Sequence, residues 1–151
     1  MWTGPTGPIG TSVGLRAYGE RFSTTSEVLN LGVSSPVQVP LLNFSVLRNV
    51  DYSSLSSVII KEYGVYEINY VLNASVSDTA SVTVSVREKG VEIPVTKNTK
   101  VVSPAESETF CGNMLYTFKE NSVIDLAISS SVATTVTLNN SNSLTIKQIH
   151  L

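Results

Sequence analysis

The sequence predicts an all-β fold, a jelly-roll β-sandwich, over residues 14–151. Apolar and polar residues alternate with period two in many short segments rich in valine, isoleucine, threonine and tyrosine. No segment shows the 3.6-residue apolar stripe of an amphipathic helix. Roughly ten such segments follow one another at spacings of about 8–12 residues, with polar turns between them and proline at several ends, which is typical of jelly rolls.

Residues 1–13 are predicted to form a short collagen-like tail. Glycine occupies every third position, at Gly4, Gly7 and Gly10, and proline follows the first two. Only glycine fits at the crowded axis of a collagen triple helix, which explains a three-residue period. The register ends where Val13 takes the place of a glycine. A flexible linker rich in glycine, proline and threonine is the alternative interpretation.

The length of this tail bears on the state of the domain that follows it. So short a triple helix cannot form alone, because ordering each residue costs about 1–2 kcal/mol of backbone entropy. We therefore expect the domain over residues 14–151 to be a homotrimer that holds three tails at a high local concentration. Since Met1 stands where the register requires another glycine, we also expect a longer Gly-X-Y region upstream.

The first part of the domain is predicted to contain several short strands. The first spans Leu15 to Phe22, with Glu20 and Arg21 exposed to solvent. A break is expected at Pro40, because proline has no N–H to donate to a strand ladder. The remaining predicted strands in this part cover residues 28–31, 37–47 and 58–60.

Strict alternation predicts one long half-buried strand more clearly than any other. Its apolar face carries Tyr66, Ile68, Tyr70, Leu72, Ala74 and Val76. Only Val71 interrupts its polar face. After a turn at residues 77–79, residues 80–87 alternate in the same way, and the two strands are expected to form a hairpin.

The second half of the domain is predicted to contain further short strands. Residues 91–95 form an edge strand because of Pro94, and residues 97–108 are the least regular region. Alternation then predicts strands around residues 114–118, 124–128, 132–138 and 144–151.

The last predicted strand carries apolar residues on both faces. Leu144 and Ile146 share one face, and Ile149 and Leu151 share the other. A terminal strand of a lone sandwich is expected to be wetted on one face. Two interpretations follow: partner subunits cover the second face, or a β-bulge near Lys147 exchanges the two faces.

Composition argues against several functional classes. Charged residues make up 15% of the chain and the net charge is −2, so we expect no nucleic-acid partner. No stretch approaches the roughly 20 apolar residues that cross a bilayer, and no membrane insertion is expected. Cys111 is the only cysteine and His150 the only histidine. We therefore expect no catalytic residues, no metal site and no cofactor.

Several short motifs occur in an order that resembles a known family. They are Gly14-Leu15-Arg16-Ala17-Tyr18, Gly64-Val65-Tyr66-Glu67-Ile68-Asn69-Tyr70 and Asn142-Ser143-Leu144-Thr145-Ile146. With the collagen-like tail, they are similar to the C-terminal domain of the collagen-like glycoproteins on bacterial spore surfaces. That family resembles the globular heads of complement's first component and of tumour necrosis factor (TNF). Gly64, Tyr66 and Tyr70 correspond to an aromatic strand motif of that superfamily.

The resemblance implies a structural role without enzymatic activity. Such a domain is a homotrimeric head that nucleates and aligns a collagen-like stalk in the exosporium, the outer layer of the spore. Thr6 and Thr11 are the O-glycan sites that the resemblance implies. This chain has fewer aromatic and charged residues than the eukaryotic heads, so no shared receptor or calcium chemistry is assumed.

Apolar residues of the inner sheet are the candidates for the core or the threefold axis of the trimer. They are Tyr66, Tyr70, Tyr116, Phe118, Ile149 and Leu151. Other spore-coat proteins and host surface ligands are the further partners considered. The alternative function is an adhesin or receptor-binding head, on a spore or a phage fibre, in which a loop over residues 98–108 recognises a host protein or glycan.

Overall fold

The structure, a computed structural model, describes Gly4 and residues 14–151. The predictions for Thr6, Gly7, Gly10 and Thr11 lie outside the described residues. The described chain forms 14 β-strands and one short 3₁₀ helix, Pro94–Thr96. In chain order the strands are β1 (Tyr18–Phe22), β2 (Glu27–Leu31), β3 (Val37–Gln38), β4 (Asn43–Arg48), β5 (Val50–Asp51), β6 (Ser57–Ile60), β7 (Gly64–Val76), β8 (Ala80–Glu88), β9 (Val91–Glu92), β10 (Asn98–Val102), β11 (Ser107–Phe118), β12 (Val123–Ser130), β13 (Thr134–Leu138) and β14 (Ser143–His150).

The first sheet is built around β7, the longest strand. Strand β11 pairs with residues 64–75 of β7 along one edge. Along the other edge, β14 pairs with residues 65–71 and β13 with residues 74–76. Strand β1 pairs with β14, β4 pairs with β1, and β2 pairs with β13.

The second sheet lies across the core from the first. Its strand order is β10, β8, β12, β6 and β5, with β3 added to β12 and β9 added to β8. Every strand pairing in both sheets is antiparallel. Two antiparallel sheets without an α-helix in the described chain confirm the predicted all-β sandwich.

The hydrophobic core fills the space between the two sheets. Alternation along β7 and β8 directs one set of side chains from each strand into it, as predicted. These fully buried residues include Tyr66, Ile68, Tyr70 and Leu72 from the first sheet and Val82, Val84 and Val86 from the second. The periodic residues of the sequence are therefore the residues that hold the sheets together.

The predicted hairpin between residues 66–76 and 80–87 is wrong. Strand β7 belongs to the first sheet and β8 to the second, so the chain crosses the sandwich at residues 77–79. The crossing is held by the Ser77 amide, which donates to the Thr135 carbonyl at 3.0 Å. The two apolar faces meet across the core, and alternation alone cannot distinguish this arrangement from a paired hairpin.

The predictions for residues 91–108 also require correction. The expected edge strand ends at Glu92, and Pro94 instead opens the 3₁₀ helix, where its fixed φ is favourable and its missing N–H costs nothing. The region predicted as irregular contains β10 and the start of β11. Only residues 103–106 form the connection between these strands.

Arg21 was predicted to be exposed, but it is buried, with 3% of its surface accessible. Its guanidinium donates to the carbonyl oxygens of Ser57, Tyr52 and Ser54 at 2.9, 2.8 and 2.9 Å. It also lies over the rings of Phe44 and Tyr52, 5.3 and 5.0 Å from their centroids. Burial is tolerated because nearly every donor has a carbonyl or an aromatic partner.

The last strand contains a bulge at Ile149, two residues beyond the predicted position. Its register on β7 passes from the Gln148–Tyr66 pair to the His150–Val65 pair. Leu144, Ile146 and Gln148 all point into the sandwich, whereas Ile149 stays exposed. The bulge changes the facing only from His150 onward and does not turn Ile149 into the core, so coverage of Ile149 by partner subunits stays a prediction.

Candidate assembly surface

The outer face of the first sheet is formed by side chains of β11, β7 and β14 that point away from the core. Strand register places these side chains in three rows across the sheet. The rows are Leu115, Glu67 and Lys147; Asn113, Asn69 and Thr145; and Cys111, Val71 and Ser143. We refer to this set, with Val65 and Ile149 at its end, as the outer face.

Apolar side chains are exposed on all three strands of the outer face. The accessible fractions are 58% for Leu115, 39% for Val71 and 46% for Ile149. Single exposed apolar residues are common on protein surfaces and carry no meaning alone. Their presence on adjoining strands of one face is typical of a surface that a partner covers.

The only opposite charges in these three rows pair with each other. Lys147 Nζ lies 3.3 Å from Glu67 Oε2, and the Asn69 side-chain amide donates to Glu67 Oε1 at 3.0 Å. The Asn69 hydrogen bond and the Lys147 charge lower the pKa of the Glu67 carboxyl below its ordinary value. The outer face is therefore electrically neutral near pH 7, and like copies of it do not repel one another.

The four aromatic residues predicted for the core or the axis point into the sandwich. Tyr66, Tyr70 and Phe118 are fully buried, and Tyr116 is half-buried against the same core. The Phe118 ring centroid lies 4.9 Å from that of Tyr116 and 5.9 Å from that of Tyr66. In the single chain these residues join β7 to β11 from the inside.

The hydroxyl groups of the two buried β7 tyrosines are hydrogen-bonded to main-chain carbonyls. Tyr66 donates to Glu62 at 2.7 Å and Tyr70 donates to Thr96 at 2.6 Å. Burial raises the pKa of each phenol to about 12, because the phenolate would lose its hydration. The nearby Glu62 charge adds to the effect on Tyr66. Both hydroxyls are therefore neutral donors at physiological pH.

Gly64, the glycine of the aromatic motif, has a packing role. A Cβ at this position would lie 2.5 Å from the His150 carbonyl oxygen and would also collide with the Gln148 side-chain amide. The absence of a side chain lets Gln148 reach the Tyr63 carbonyl, to which its amide donates at 3.1 Å. Gly64 thus allows the end of β14 to lie close to the start of β7.

The two ends of the domain line an apolar groove beside the outer face. Strands β1 and β14 pair up to Tyr18 and Lys147, and the Gln148 amide donates to the Ala17 carbonyl at 2.8 Å. Beyond that bond, residues 14–16 and 148–151 surround a space of about 370 Å³. We call this space the terminal groove. It includes Ile149 and Leu151, the two predicted axis residues that the single chain leaves exposed.

The opposite side of the sandwich has a different character. A hollow of about 280 Å³ on the second sheet is lined largely by serine and threonine side chains of β8 and β12. Its wall includes Pro36 and the ion pair between Lys97 and Glu92, at 2.8 Å. This surface lacks the exposed Leu115, Val71 and Ile149 that stand among the polar residues of the outer face.

The side chains that commonly act in catalysis or metal binding are dispersed over the described chain. Among residues 14–151, no three His, Cys, Asp or Glu side chains come together as metal ligands would. The exposed His150 ring contacts the carbonyl of its neighbour Leu151. No helix in the described part of the chain has the length and apolar character needed to span a membrane.

Sequence reasoning missed Val65 and Leu115 as members of the outer face. Both lie at positions whose side chains point away from the core, where polar residues are expected. The signal was present in the sequence, because an apolar residue in the polar phase also occurs at Val71. The pairing of β7 with β11 brings these separate exceptions onto one surface, and that pairing was not predicted.

Comparison with solved structures shows the fold. Murine APRIL superposes with a TM-score of 0.62 at 10% identity, covering 88% of this chain and 98% of that one. Eiger TNF from S. frugiperda gives a TM-score of 0.58 at 10% identity, with 90% and 94% covered. PRD1 vertex protein P5 gives 0.58 at 14% identity, with 90% and 99% covered. The chain therefore has a TNF-like jelly-roll fold, as predicted. No family model and no curated protein matches it.

Proposed function

We propose that the chain is a non-enzymatic structural head that assembles as a homotrimer. The observation that carries the proposal is the outer face of the first sheet. It exposes Val71, Leu115 and Ile149 on three adjacent strands and neutralises its own charge pair. Burial of apolar surface contributes about 25 cal/mol per Å² before the costs of association, so a face of this kind favours a bound partner.

The edges of the first sheet support a cyclic assembly. Within the described chain, β11 pairs only with β7, β4 only with β1 and β2 only with β13, so the first sheet has three different edge strands. A contact between two different surfaces repeats from copy to copy, and it forms a ring when the rotation closes. Three copies turned by one third of a circle form such a ring. The TNF-like fold supports this arrangement at the level of architecture.

The trimer's role is to align a collagen-like stalk. The tail precedes Gly14, and Gly14 lies in the terminal groove beside Ile149 and Leu151. If these residues surround the threefold axis, the three tails leave the head side by side. The head then supplies the local concentration that a short Gly-X-Y segment lacks. On the resemblance of its motifs, we place this head at the outside of a bacterial spore, in the exosporium.

The experiment that tests the proposal is the mass of the chain in solution. Light scattering is expected to give about three times the 16.2 kDa mass of one chain at micromolar concentration. A stable monomer would leave the outer face without its role and would overturn the proposal. Circular dichroism of a form with a longer Gly-X-Y region then tests alignment of the stalk.

Recognition of a host protein or glycan is the second candidate function. The polar hollow on the second sheet favours it, because its hydroxyl groups and its Glu92–Lys97 pair face away from the assembly surface. A trimer would thus present three such hollows outward. Binding on a glycan or protein array that is lost in Glu92→Gln, with the trimer mass unchanged, would support recognition; an array without binding would argue for a passive coat protein.

A further inference from the structure

The ion pair of the outer face lies beside its exposed apolar side chains. Glu67 on β7 is opposite Leu115 on β11 and opposite Lys147 on β14. Ile149 follows Lys147 by two residues along β14. A partner that covers Leu115 and Ile149 therefore also covers the ion pair, which adjoins both of them.

In the single chain this ion pair is partly exposed to water. The side chains of Lys147 and Glu67 keep 39% and 23% of their surface accessible, and 3.3 Å separates Nζ from Oε2. Water screens both charges, so the loss of one of them costs the single chain little. Under a partner, the remaining charge loses its water and its counter-charge together, which is strongly unfavourable. The pair therefore matters far more to an assembly than to the protomer.

Among the described residues, only the Glu67 carboxylate lies within ion-pair distance of Lys147. The neighbours of Glu67 on β11 and β7 are uncharged: Leu115, Asn113, Val65 and Asn69. The other titratable groups near this part of the outer face lie on β11, β14 and β1. They are Cys111, opposite Val71; His150, opposite Val65; Tyr18, opposite Lys147; and Glu20, opposite Thr145 and hydrogen-bonded by Ser45 at 2.9 Å.

We propose that the Glu67–Lys147 pair makes the assembly sensitive to acid. Protonation of Glu67 leaves one unpaired Lys147 ammonium group per protomer in the interface, and the protomers separate. The inference rests on the proposed homotrimer and concerns the regulation of that same surface.

The direction of the pH dependence follows from the state of the carboxyl group. The hydrogen bond from Asn69 and the charge of Lys147 hold the pKa of Glu67 below the ordinary glutamate value of about 4.3. The pair is complete above that value and is lost as the pH falls through the lowered pKa. The assembly is therefore expected to be tight at neutral pH and to weaken below about pH 4.

Dilution series followed by light scattering, at intervals from pH 7 to pH 3, test this acid response in the full chain. Circular dichroism at each pH restricts the comparison to folded protein. The reference is the double variant Glu67→Gln/Lys147→Met, whose pH dependence reports the other titratable groups, His150 included. Relative to this reference, the unsubstituted chain is expected to lose at least tenfold in association between pH 7 and pH 3.

The two single variants are expected to respond to acid differently. Glu67→Gln leaves Lys147 unpaired at every pH, so its association should follow the pH dependence of the double variant. Lys147→Met leaves the carboxylate unpaired, so protonation of Glu67 should strengthen its association as the pH falls. Glu92→Gln is the matched control, because it breaks the Glu92–Lys97 pair of the second sheet, at 2.8 Å, and should respond to acid as the unsubstituted chain does.

A comparison at pH 7 tests the pair even if acid unfolds the protein. Each single variant should associate at least tenfold more weakly than the double variant, because only the single variants place an unpaired charge in the interface. A trimer at pH 7 that shows neither this difference nor the reversed acid response of Lys147→Met would overturn the inference and keep the proposed function. An unsubstituted chain that is monomeric at pH 7 would overturn both.

Discussion

The ring of Tyr70 lies directly against Gly112 on the neighbouring strand. A Cβ at Gly112 would be 2.5 Å from Cε1 of the tyrosine, which is closer than real Cβ contacts come. The Tyr70 hydroxyl extends past this glycine to the Thr96 carbonyl, at 2.6 Å. Gly112 thus gives the largest side chain in this part of the core the room to connect the first sheet with the 3₁₀ helix.

Gly112→Ala is therefore expected to destabilise the fold. The added methyl group must displace a buried ring that is held at its far end, and overpacking of this kind costs about 1–3 kcal/mol. Gly32→Ala is the matched control, because its nearest neighbour, the Ser35 Cβ, lies 3.9 Å from the new Cβ. Urea unfolding of both variants measures the difference. Equal midpoints would show that the Tyr70 ring is free to move.

The buried tyrosines predict a loss of stability at alkaline pH. The unfolded chain releases phenol protons near pH 10, whereas folded Tyr66 and Tyr70 hold theirs to about 12. Above pH 10 the unfolded state binds fewer protons, so the free energy of unfolding falls as pH rises and is unaffected below that range. The difference corresponds to roughly 3 kcal/mol for each tyrosine.

Urea unfolding between pH 9 and pH 12 checks this expectation. Tyr66→Phe and Tyr70→Phe should each flatten the alkaline fall, although each also loses a hydrogen bond worth about 0.5–1.5 kcal/mol at neutral pH. Tyr63→Phe is the matched control, since its side chain is exposed. A fall that is equally steep in all variants would exclude the two buried phenols as its cause.

The success of sequence reasoning at β7 and its failure at the following turn have one physical explanation. Period-two alternation reports which side chains face the core, and it placed Tyr66 and Tyr70 there correctly. Both sheets face the same core, so alternation carries no information about the sheet to which a strand belongs. The predicted hairpin between β7 and β8 failed for that reason.

Arg21 shows a second limit of sequence reasoning. A charged residue in a strand is normally expected to face solvent. In β1, however, Arg21 occupies a position whose side chain points into the sandwich. Its partners are carbonyl groups of residues 42–57, which no local pattern identifies. The assembly surface has the same limit, because Leu115 and Val71 lie on separate strands and come onto one face only through the β7–β11 register, which places Leu115 opposite Glu67 and Val71 opposite Cys111.

Substitution of Arg21 should loosen residues 52–57, whose carbonyl groups it binds. Arg21→Met keeps much of the volume but leaves carbonyl oxygens of Tyr52, Ser54 and Ser57 without their donors. Replacing a buried charge by an apolar group is often harmless, but only when its partners are replaced as well. We therefore expect a loss of about 2–4 kcal/mol.

Two measurements check the Arg21 prediction. Urea unfolding gives the loss of stability. Amide hydrogen exchange should be accelerated by Arg21→Met, relative to the unsubstituted chain, more at residues 52–57 than in β7. Arg16→Met is the matched control, because Arg16 forms an exposed ion pair with Glu62, and such pairs contribute about 0–1 kcal/mol. Similar losses in both variants would show that the guanidinium of Arg21 has no special role in holding the segment.

A charge placed on the outer face or in the terminal groove beside it should weaken the trimer without unfolding the protomer. Leu115→Asp and Leu151→Asp each bury an unpaired carboxylate if three copies meet there, and a buried unpaired charge is far more costly than a solvated one. Ser81→Asp adds the same charge to the second sheet, on the opposite side of the sandwich. At least tenfold weaker association is expected for the first two, which corresponds to about 1.4 kcal/mol, and no change for the third.

Dilution series followed by light scattering measure this difference, with circular dichroism confirming that each variant stays folded. The pattern of weakening among the three variants shows which part of the proposed interface is wrong, if any. If Leu151→Asp weakens assembly and Leu115→Asp does not, the contact is confined to the chain end and the rest of the outer face is free. If Ser81→Asp weakens it equally, the threefold axis lies elsewhere. Only selective weakening by both apolar substitutions agrees with a partner that covers β11, β7 and β14 together, since these strands share one continuous neutral surface.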